Sequence, residues 1–161
     1  MLAALNAPGR RGLAANLAVW LGLVVVLNGV IFALGWNTRS NSPVPWFAPP
    51  GWVIGLVWVG LFTLLATARW RLHARPGSRA WVTGLLLACL AFPFYAQAPG
   101  SVWAGFAGSV GTGLLAAVVA TRAGPAAGLV LPTALWCAFA SVLTGTQVGL
   151  LPPYGSTTAP P

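Results

Sequence analysis

Apolar residues along the chain fall into five long runs, separated by short segments that carry Pro, Gly or Arg. Each run is about 17–25 residues long, the length of α-helix that crosses the hydrocarbon core of a bilayer. The pattern predicts an all-α, integral membrane five-helix bundle. The predicted helices lie at about 12–35, 50–72, 80–96, 102–121 and 126–151.

The segments outside these runs predict where the membrane domain, 12–151, begins and ends. Residues 1–11 are predicted to be an N-terminal leader, and residues 152–161 a tail too polar and Pro-rich to pack, hence disordered. No cleavable signal peptide is expected, because the first run is too long for an h-region. Pro93 should kink or end the third helix, since proline cannot continue the hydrogen-bond ladder.

Composition agrees with a membrane location. The 161 residues are 58% hydrophobic and 5% charged, with a mean hydropathy of +0.83, whereas a soluble domain carries about 25% charged residues. Asn16 and Asn28 lie within the first run. An amide in hydrocarbon needs a partner, so both are expected to face other helices or a cavity.

The net charge is +8, and every cation apart from the single His is arginine. The arginines lie at the ends of apolar runs rather than in one patch, which favours topogenic charge and attraction to anionic lipid over nucleic-acid binding. With five spans, Arg39 is the only arginine on one side of the membrane. The N-terminus is therefore predicted to lie inside and the C-terminus outside, in a bacterial inner membrane. The arginines of the other side are Arg10, Arg11, Arg69, Arg71, Arg75, Arg79 and Arg122.

The residues that are missing exclude several functions. Without Lys there is no retinal Schiff base, and without Asp or Glu no carboxylate can relay protons. His73 alone cannot form a zinc or bis-His haem site. Cys89 and Cys137 lack metal-ligand spacing and are predicted to be buried small hydrophobes. We therefore expect no catalytic residues of the usual acid–base kind, no metal and no required cofactor.

The stretch 43–71 begins as a proline-stiffened aromatic loop and continues as an apolar helix. Pro49 and its neighbours cannot be helical, whereas Pro50 suits a first helical position. The loop is predicted to hold Trp46, Phe47 and Trp52 at the lip of a pocket. Trp20, Trp58 and Trp136 lie about 12–16 Å along their helices, too deep for interface anchors. Aromatic faces with Arg39 at the mouth suit a flat, apolar, partly anionic ligand.

Three motifs carry a family resemblance. The stretch 45–62, P-W-F-A-P-P-G-W-V-I-G-L-V-W-V-G-L-F, resembles the W-x-P-P-x-W-V-x-G-P-V-W-x-x-L-Y signature of the TspO/MBR family, the tryptophan-rich sensory and translocator proteins. L-P-T-A-L-W-C-A-F-A-S-V-L at 131–143 resembles that family's fifth-helix pattern. A-F-P-F at 91–94 resembles its third-helix W-A-W-P-P. The resemblance covers nearly the whole chain.

The resemblance implies a five-helix bundle, often dimeric, with a porphyrin-binding pocket beneath the loop between its first two helices. The pocket tryptophans of the family match Trp52 and Trp136, and its fourth-helix tryptophan matches Trp103, which by position is also an interface anchor. The predicted ligand-binding residues are Arg39, Phe47, Pro49, Pro50, Trp52, Gly55, Cys89, Phe92, Trp103, Trp136, Phe139, Ala140 and Leu143.

Some positions depart from the family pattern. Leu56 stands in place of Pro, Phe62 in place of Tyr, and Thr144 in place of Asn. Neither Tyr95 nor Tyr154 is followed shortly by Lys or Arg, so the proposed sterol motif is missing.

Three functions remain open from the sequence. The first is binding, transport or sensing of a tetrapyrrole such as protoporphyrin IX or haem, or of a similar planar apolar ligand. The second is a light-dependent porphyrin-degrading enzyme, and the third a structural or partner-binding membrane protein without a small ligand. The glycines of the fourth helix are consistent with a homodimer face or, equally, with packing inside one chain.

Overall fold

The computed structural model describes residues 2–35, 45–98 and 100–151, and every regular element in these ranges is helical. The fold is therefore all-α, as predicted. The helices are α1 (Leu2–Leu5), α2 (Gly9–Ala33), α3 (Gly51–Arg71), α4 (Pro76–Phe92), α5 (Val102–Ala123) and α6 (Ala127–Gln147).

Four continuous helical segments in the described ranges are long and apolar enough to cross a membrane, whereas the sequence pattern predicts five. They support an integral membrane protein. The fourth segment, Val102–Gln147, has 46 residues, more than twice the ~20 that one crossing needs. It includes both α5 and α6, because the residues between them keep a helical conformation. The other segments are Gly9–Ala33, Gly51–Arg71 and Pro76–Ala96.

The chain reverses direction between α5 and α6, at a 3₁₀ turn over Gly124–Ala126. Gly124 has φ of +53°, a left-handed conformation that glycine adopts without a Cβ clash. The two helices then pack closely and antiparallel. A Cβ built on Gly113 would lie 3.1 Å from Cys137 Cβ, and one on Gly105 would lie 3.8 Å from Thr144 Cγ2.

Several helix ends differ from the predicted bounds by a few residues. The predicted leader contains α1 and the first residues of α2. Pro76 begins α4, since proline at a first helical position loses no hydrogen bond. α4 ends before Pro93 and continues as a π-helical turn over Pro93–Gln97, in which the Ala98 amide donates to the Pro93 carbonyl at 2.8 Å. α6 ends at Gln147, followed by Gly149 at φ +76°.

The buried core lies towards one end of the bundle. We call this the arginine end, because it carries Arg10, Arg11, Arg69, Arg71, Arg75, Arg79 and Arg122; the opposite end, with residues 45–50, is the loop end. The buried residues of α2 all lie between Gly12 and Val24, and those of α3 between Leu61 and Arg69. They pack with α4, α5 and α6 through side chains that include Leu85, Val119 and Val130.

Candidate ligand-binding site

A row of aromatic rings connects the loop to α6. The Phe47 ring lies 5.8 Å from the Trp46 ring and 6.4 Å from the Phe139 ring, edge-on in both cases. Phe139 in turn lies 5.4 Å from Trp136, one turn away on the same helix. These centroid distances are those of favourable aromatic pairs. The structure thus brings together three predicted site residues: Phe47, Trp136 and Phe139.

The remaining predicted residues of α6 follow the same face. Phe139 and Ala140 follow Trp136 by three and four residues, and Leu143 follows them by four and three, so all four line one stripe of the helix. All four are half-buried. The stripe therefore presents two rings beside two smaller side chains, a surface on which a flat ligand could rest.

A second group of rings joins α3 to α4. Trp58 lies 5.7 Å from Phe92 and 6.2 Å from Phe62, and Phe92 lies 5.5 Å from Tyr95. The Tyr95 hydroxyl shares a 2.8 Å hydrogen bond with the Thr112 hydroxyl and donates to the Ala88 carbonyl at 3.1 Å. Phe92 is thus placed in an aromatic cluster, together with Trp58, whose depth had singled it out in the sequence.

Three predicted residues lie on the surface instead. Trp52, in the first turn of α3, is 70% exposed, and Trp103, in the first turn of α5, is 57% exposed. Pro50 is also exposed, whereas Pro49 is half-buried. Among the described residues, no ring contact joins Trp52 to Trp136. Trp103 contacts Phe106, with ring centroids 6.2 Å apart.

Gly55 and Cys89 differ sharply in the space around them. A Cβ built on Gly55 would meet no heavy atom within 4 Å, although the residue itself is half-buried. There is therefore room beside α3, one turn below Trp52. Cys89 is 3% exposed and belongs to the packed core, as its apolar surroundings in the sequence predicted. Arg39 lies outside the described residues.

Hydroxyl groups near the α6 stripe are already hydrogen-bonded within the helix. Ser141 donates to the Cys137 carbonyl and Thr144 to the Ala140 carbonyl, each at 2.7 Å. Within the described ranges, no three His, Cys, Asp or Glu residues come close enough to hold a metal ion. What the loop end offers a ligand is therefore mainly apolar and aromatic surface.

The sequence did not predict a buried polar network at the arginine end. The Arg69 guanidinium donates to the Leu5 carbonyl at 2.9 Å, to Asn16 Oδ1 at 2.7 Å and to Thr83 Oγ1 at 3.0 Å. Asn6 Oδ1 accepts a fourth bond at 3.2 Å. The network holds the N-terminal residues against α2, α3 and α4. Asn16 was the available signal, since an amide in hydrocarbon was expected to need a partner, and in the structure that partner is Arg69.

Two grooves run along the surface between α4 and α5. One, of about 330 Å³, lies towards the arginine end, and the other, of about 520 Å³, towards the loop end. None of the predicted ligand-binding residues lines either groove. The first is lined by Ala80, Trp81, Gly84, Leu85 and Leu115. The second is lined by Ala88, Tyr95, Ala104, Ala107, Gly108, Gly111, Thr112 and Leu115.

Comparison with known protein families gives one assignment. The family model described as TspO/MBR family matches residues 14–148, which is most of the chain and includes every predicted site residue. A comparison with curated proteins finds no match.

Proposed function

The chain belongs to the TspO/MBR family, and from this premise we propose that it binds a tetrapyrrole or a similar planar apolar ligand at the loop end of the bundle. Transport or sensing of that ligand would follow from its binding. The ligand would lie between α3 and α6, beneath residues 45–50. Protoporphyrin IX and haem are the candidates that the family resemblance suggests.

The observation that carries this proposal is the aromatic row Phe47–Phe139–Trp136. It ties the loop to the fifth apolar run, so that a flat ligand stacked on a ring of α6 could also meet a ring of the loop. Each such ring pair contributes about 0.5–1.5 kcal/mol beyond the burial of area. Open space beside Gly55 supports the same location. Arg39 would pair with a carboxylate at the edge of the ligand.

We also propose that the bundle crosses the membrane five times. The 46-residue segment reverses at Gly124–Ala126, and each of its halves, α5 and α6, is long enough for one crossing. With arginines gathered at one end, the positive-inside rule puts that end and the N-terminus in the cytoplasm, and the loop end outside. A bacterial inner membrane is the location we expect.

Titration of the detergent-solubilised protein with protoporphyrin IX tests the proposal. Binding should be followed by the absorbance of the porphyrin, because removing a tryptophan also changes the protein fluorescence. We expect saturable binding at micromolar concentration. The Trp136→Ala variant should raise Kd about fivefold, since it removes one stacking ring. Gly55→Phe should also weaken binding, by filling the open space beside α3.

Trp70→Phe is the matched control. Trp70 lies at the arginine end, where its indole N–H donates to the Gly9 carbonyl at 3.1 Å, so its loss should leave porphyrin affinity unchanged. Absence of saturable binding, or an equal loss of affinity in Trp70→Phe, would refute the proposed site. Illumination of the complex addresses the enzymatic alternative. If the protein degrades porphyrin, the porphyrin spectrum should bleach faster in the complex with the unmodified protein than in the complex with the Trp136→Ala variant.

A further inference from the structure

We propose that the groove at the arginine end of α4 and α5 binds one anionic phospholipid of the bilayer. Its phosphate would lie on Arg122, and one acyl chain would lie along Ala80, Gly84 and Leu115. This lipid site is separate from the proposed ligand site, which lies at the opposite end of the bundle.

The shape of the groove suits an acyl chain. It has a volume of about 330 Å³, and its lining is apolar, with the small residues Ala80 and Gly84 along one wall. A Cβ built on Gly84 would meet no heavy atom within 4 Å, so the space in front of it is open. Leu115 also lines the 520 Å³ groove. The depression therefore continues from the arginine end towards the middle of the membrane.

Arg122 lies where the headgroup of such a lipid would be. It follows Leu115 by seven residues, which puts it on the same face of α5 and about 10 Å closer to the arginine end. Its guanidinium carbon lies 5.6 Å from the centroid of the Trp81 ring. Trp81 is itself a lining residue of the groove, so the cation and the groove are in direct contact.

Arg122 differs from Arg69 and Arg79 in its hydrogen bonding. Arg69 is satisfied by carbonyl, amide and hydroxyl oxygens of the protein, and Arg79 donates to the His73 carbonyl at 3.1 Å. Within the described ranges, the Arg122 guanidinium makes a cation–π contact with Trp81 and no hydrogen bond to the protein. Its planar fork of N–H groups therefore remains available for a phosphate, which it can bind with two parallel hydrogen bonds.

Charge complementarity identifies the occupant. The chain has no Asp and no Glu, so a side-chain anion for Arg122 cannot come from this protein. A second copy would bring the same arginines to the groove, and like charges would repel. Anionic phospholipids supply both a phosphate at the correct depth and an apolar chain, and each arginine near such a surface contributes about 1 kcal/mol.

Native mass spectrometry of the full-length protein in micelles can test this. The probes are phosphatidylglycerol and phosphatidylcholine with identical acyl chains. We expect one phosphatidylglycerol to bind more tightly than phosphatidylcholine. Arg122→Gln should weaken that first binding about fivefold, and Gly84→Leu should weaken it comparably by filling the groove.

Arg11→Gln is the matched control, because it removes one exposed charge from the same end of the bundle but from α2. Its effect on phosphatidylglycerol binding should stay below about twofold if the site is local. Equal losses in Arg11→Gln and Arg122→Gln would overturn the proposal in favour of diffuse charge attraction. Equal affinity for the two lipids would also overturn it, as would a Gly84→Leu variant that dissociates a protein dimer without changing lipid affinity.

Discussion

The two halves of α3 pack very differently, although both are almost uniformly apolar. Towards the arginine end, Leu61, Phe62 and Leu65 are buried among α2, α4 and α5. Towards the loop end, no residue between 51 and 60 is fully buried, and Trp52 and Leu56 are 70% and 62% exposed. One helix thus belongs to a close-packed core at one end and to an open assembly of rings at the other.

This difference separates the residues that hold the bundle together from those available to a ligand. In a bilayer, apolar helices gain little by leaving lipid, so close packing and hydrogen bonds between helices determine where they associate. Both occur at the arginine end, in the core around Leu65 and in the Arg69 network. At the loop end, the half-buried rings and the open space beside Gly55 leave apolar surface that a ligand could cover.

The largest expected effect is a difference in the free energy of unfolding between two Leu→Ala variants, one in each half of α3. Leu65 is fully buried, so Leu65→Ala should lower the free energy of unfolding by about 3 kcal/mol through lost contacts and a cavity. Leu56→Ala removes the same atoms from an exposed position and should cost less than about 0.5 kcal/mol. Unfolding in micelles by titration with sodium dodecyl sulfate measures both. Similar losses at the two positions would show that the loop end is packed as tightly as the arginine end.

Arg69→Met should have the next largest effect and lower the free energy of unfolding by about 2 kcal/mol, because it leaves buried acceptors such as Asn16 Oδ1 without donors. Arg71→Met is the control, since Arg71 lies two residues further along and is exposed. The same unfolding titration compares them. Hydrogen exchange should also rise at residues 2–6 in the Arg69 variant alone. If Arg71→Met were as destabilising, net charge at this end rather than the network would be responsible.

A pair of glycines in α5 locates the contact with α6. Gly113→Ala places a Cβ 3.1 Å from Cys137 Cβ and should cost about 1 kcal/mol of stability through overpacking. Gly111→Ala meets no heavy atom within 4 Å and should be neutral or stabilising by up to about 1 kcal/mol, because alanine favours the helix. Thermal unfolding in micelles measures the difference. Destabilisation by Gly111→Ala instead would mean that its face of α5 is covered.

The sequence was sufficient for the helices because the bilayer sets their length. Runs of apolar residues had to be about as long as the hydrocarbon is thick, and prolines and glycines marked their ends. Pro93 ended α4 as expected. The sequence pattern could not show that residues 124–126 stay helical, which makes α5 and α6 one continuous segment.

The side that each helix turns towards its neighbours could not be predicted in the same way. A helix that is apolar all round has no polar face to indicate its rotation about its own axis. Trp52, Cys89 and Trp136 were all predicted as ligand-binding residues from the family resemblance, yet the structure places them on the surface, in the core and in the aromatic row, respectively. Arg69 was interpreted as one of the topogenic charges at the ends of apolar runs, because its partners Leu5 and Asn6 meet it only after the chain folds back.

The smallest expected effect concerns the contact between the loop and α6. Phe47 is the ring through which residues 45–48 reach Phe139. Phe47→Ala should therefore release the loop while changing global stability by only about 0.5 kcal/mol. The Ala48 amide, which donates to the Pro45 carbonyl at 2.9 Å, reports on the loop. Its hydrogen exchange, measured by mass spectrometry, should become several-fold faster.

Trp46→Ala separates the docking contact from a general loss of aromatic surface in the loop. Trp46 is 78% exposed and contacts the Phe47 ring edge-on, so its removal leaves the contact between Phe47 and Phe139 in place. Exchange at Ala48 should then stay close to that of the unmodified protein, and exchange in α3 between Leu61 and Arg69 should be unchanged in both variants. If Trp46→Ala accelerated exchange as much as Phe47→Ala, the loop would be held by its exposed rings, and the row to Trp136 would not be what connects it to the bundle.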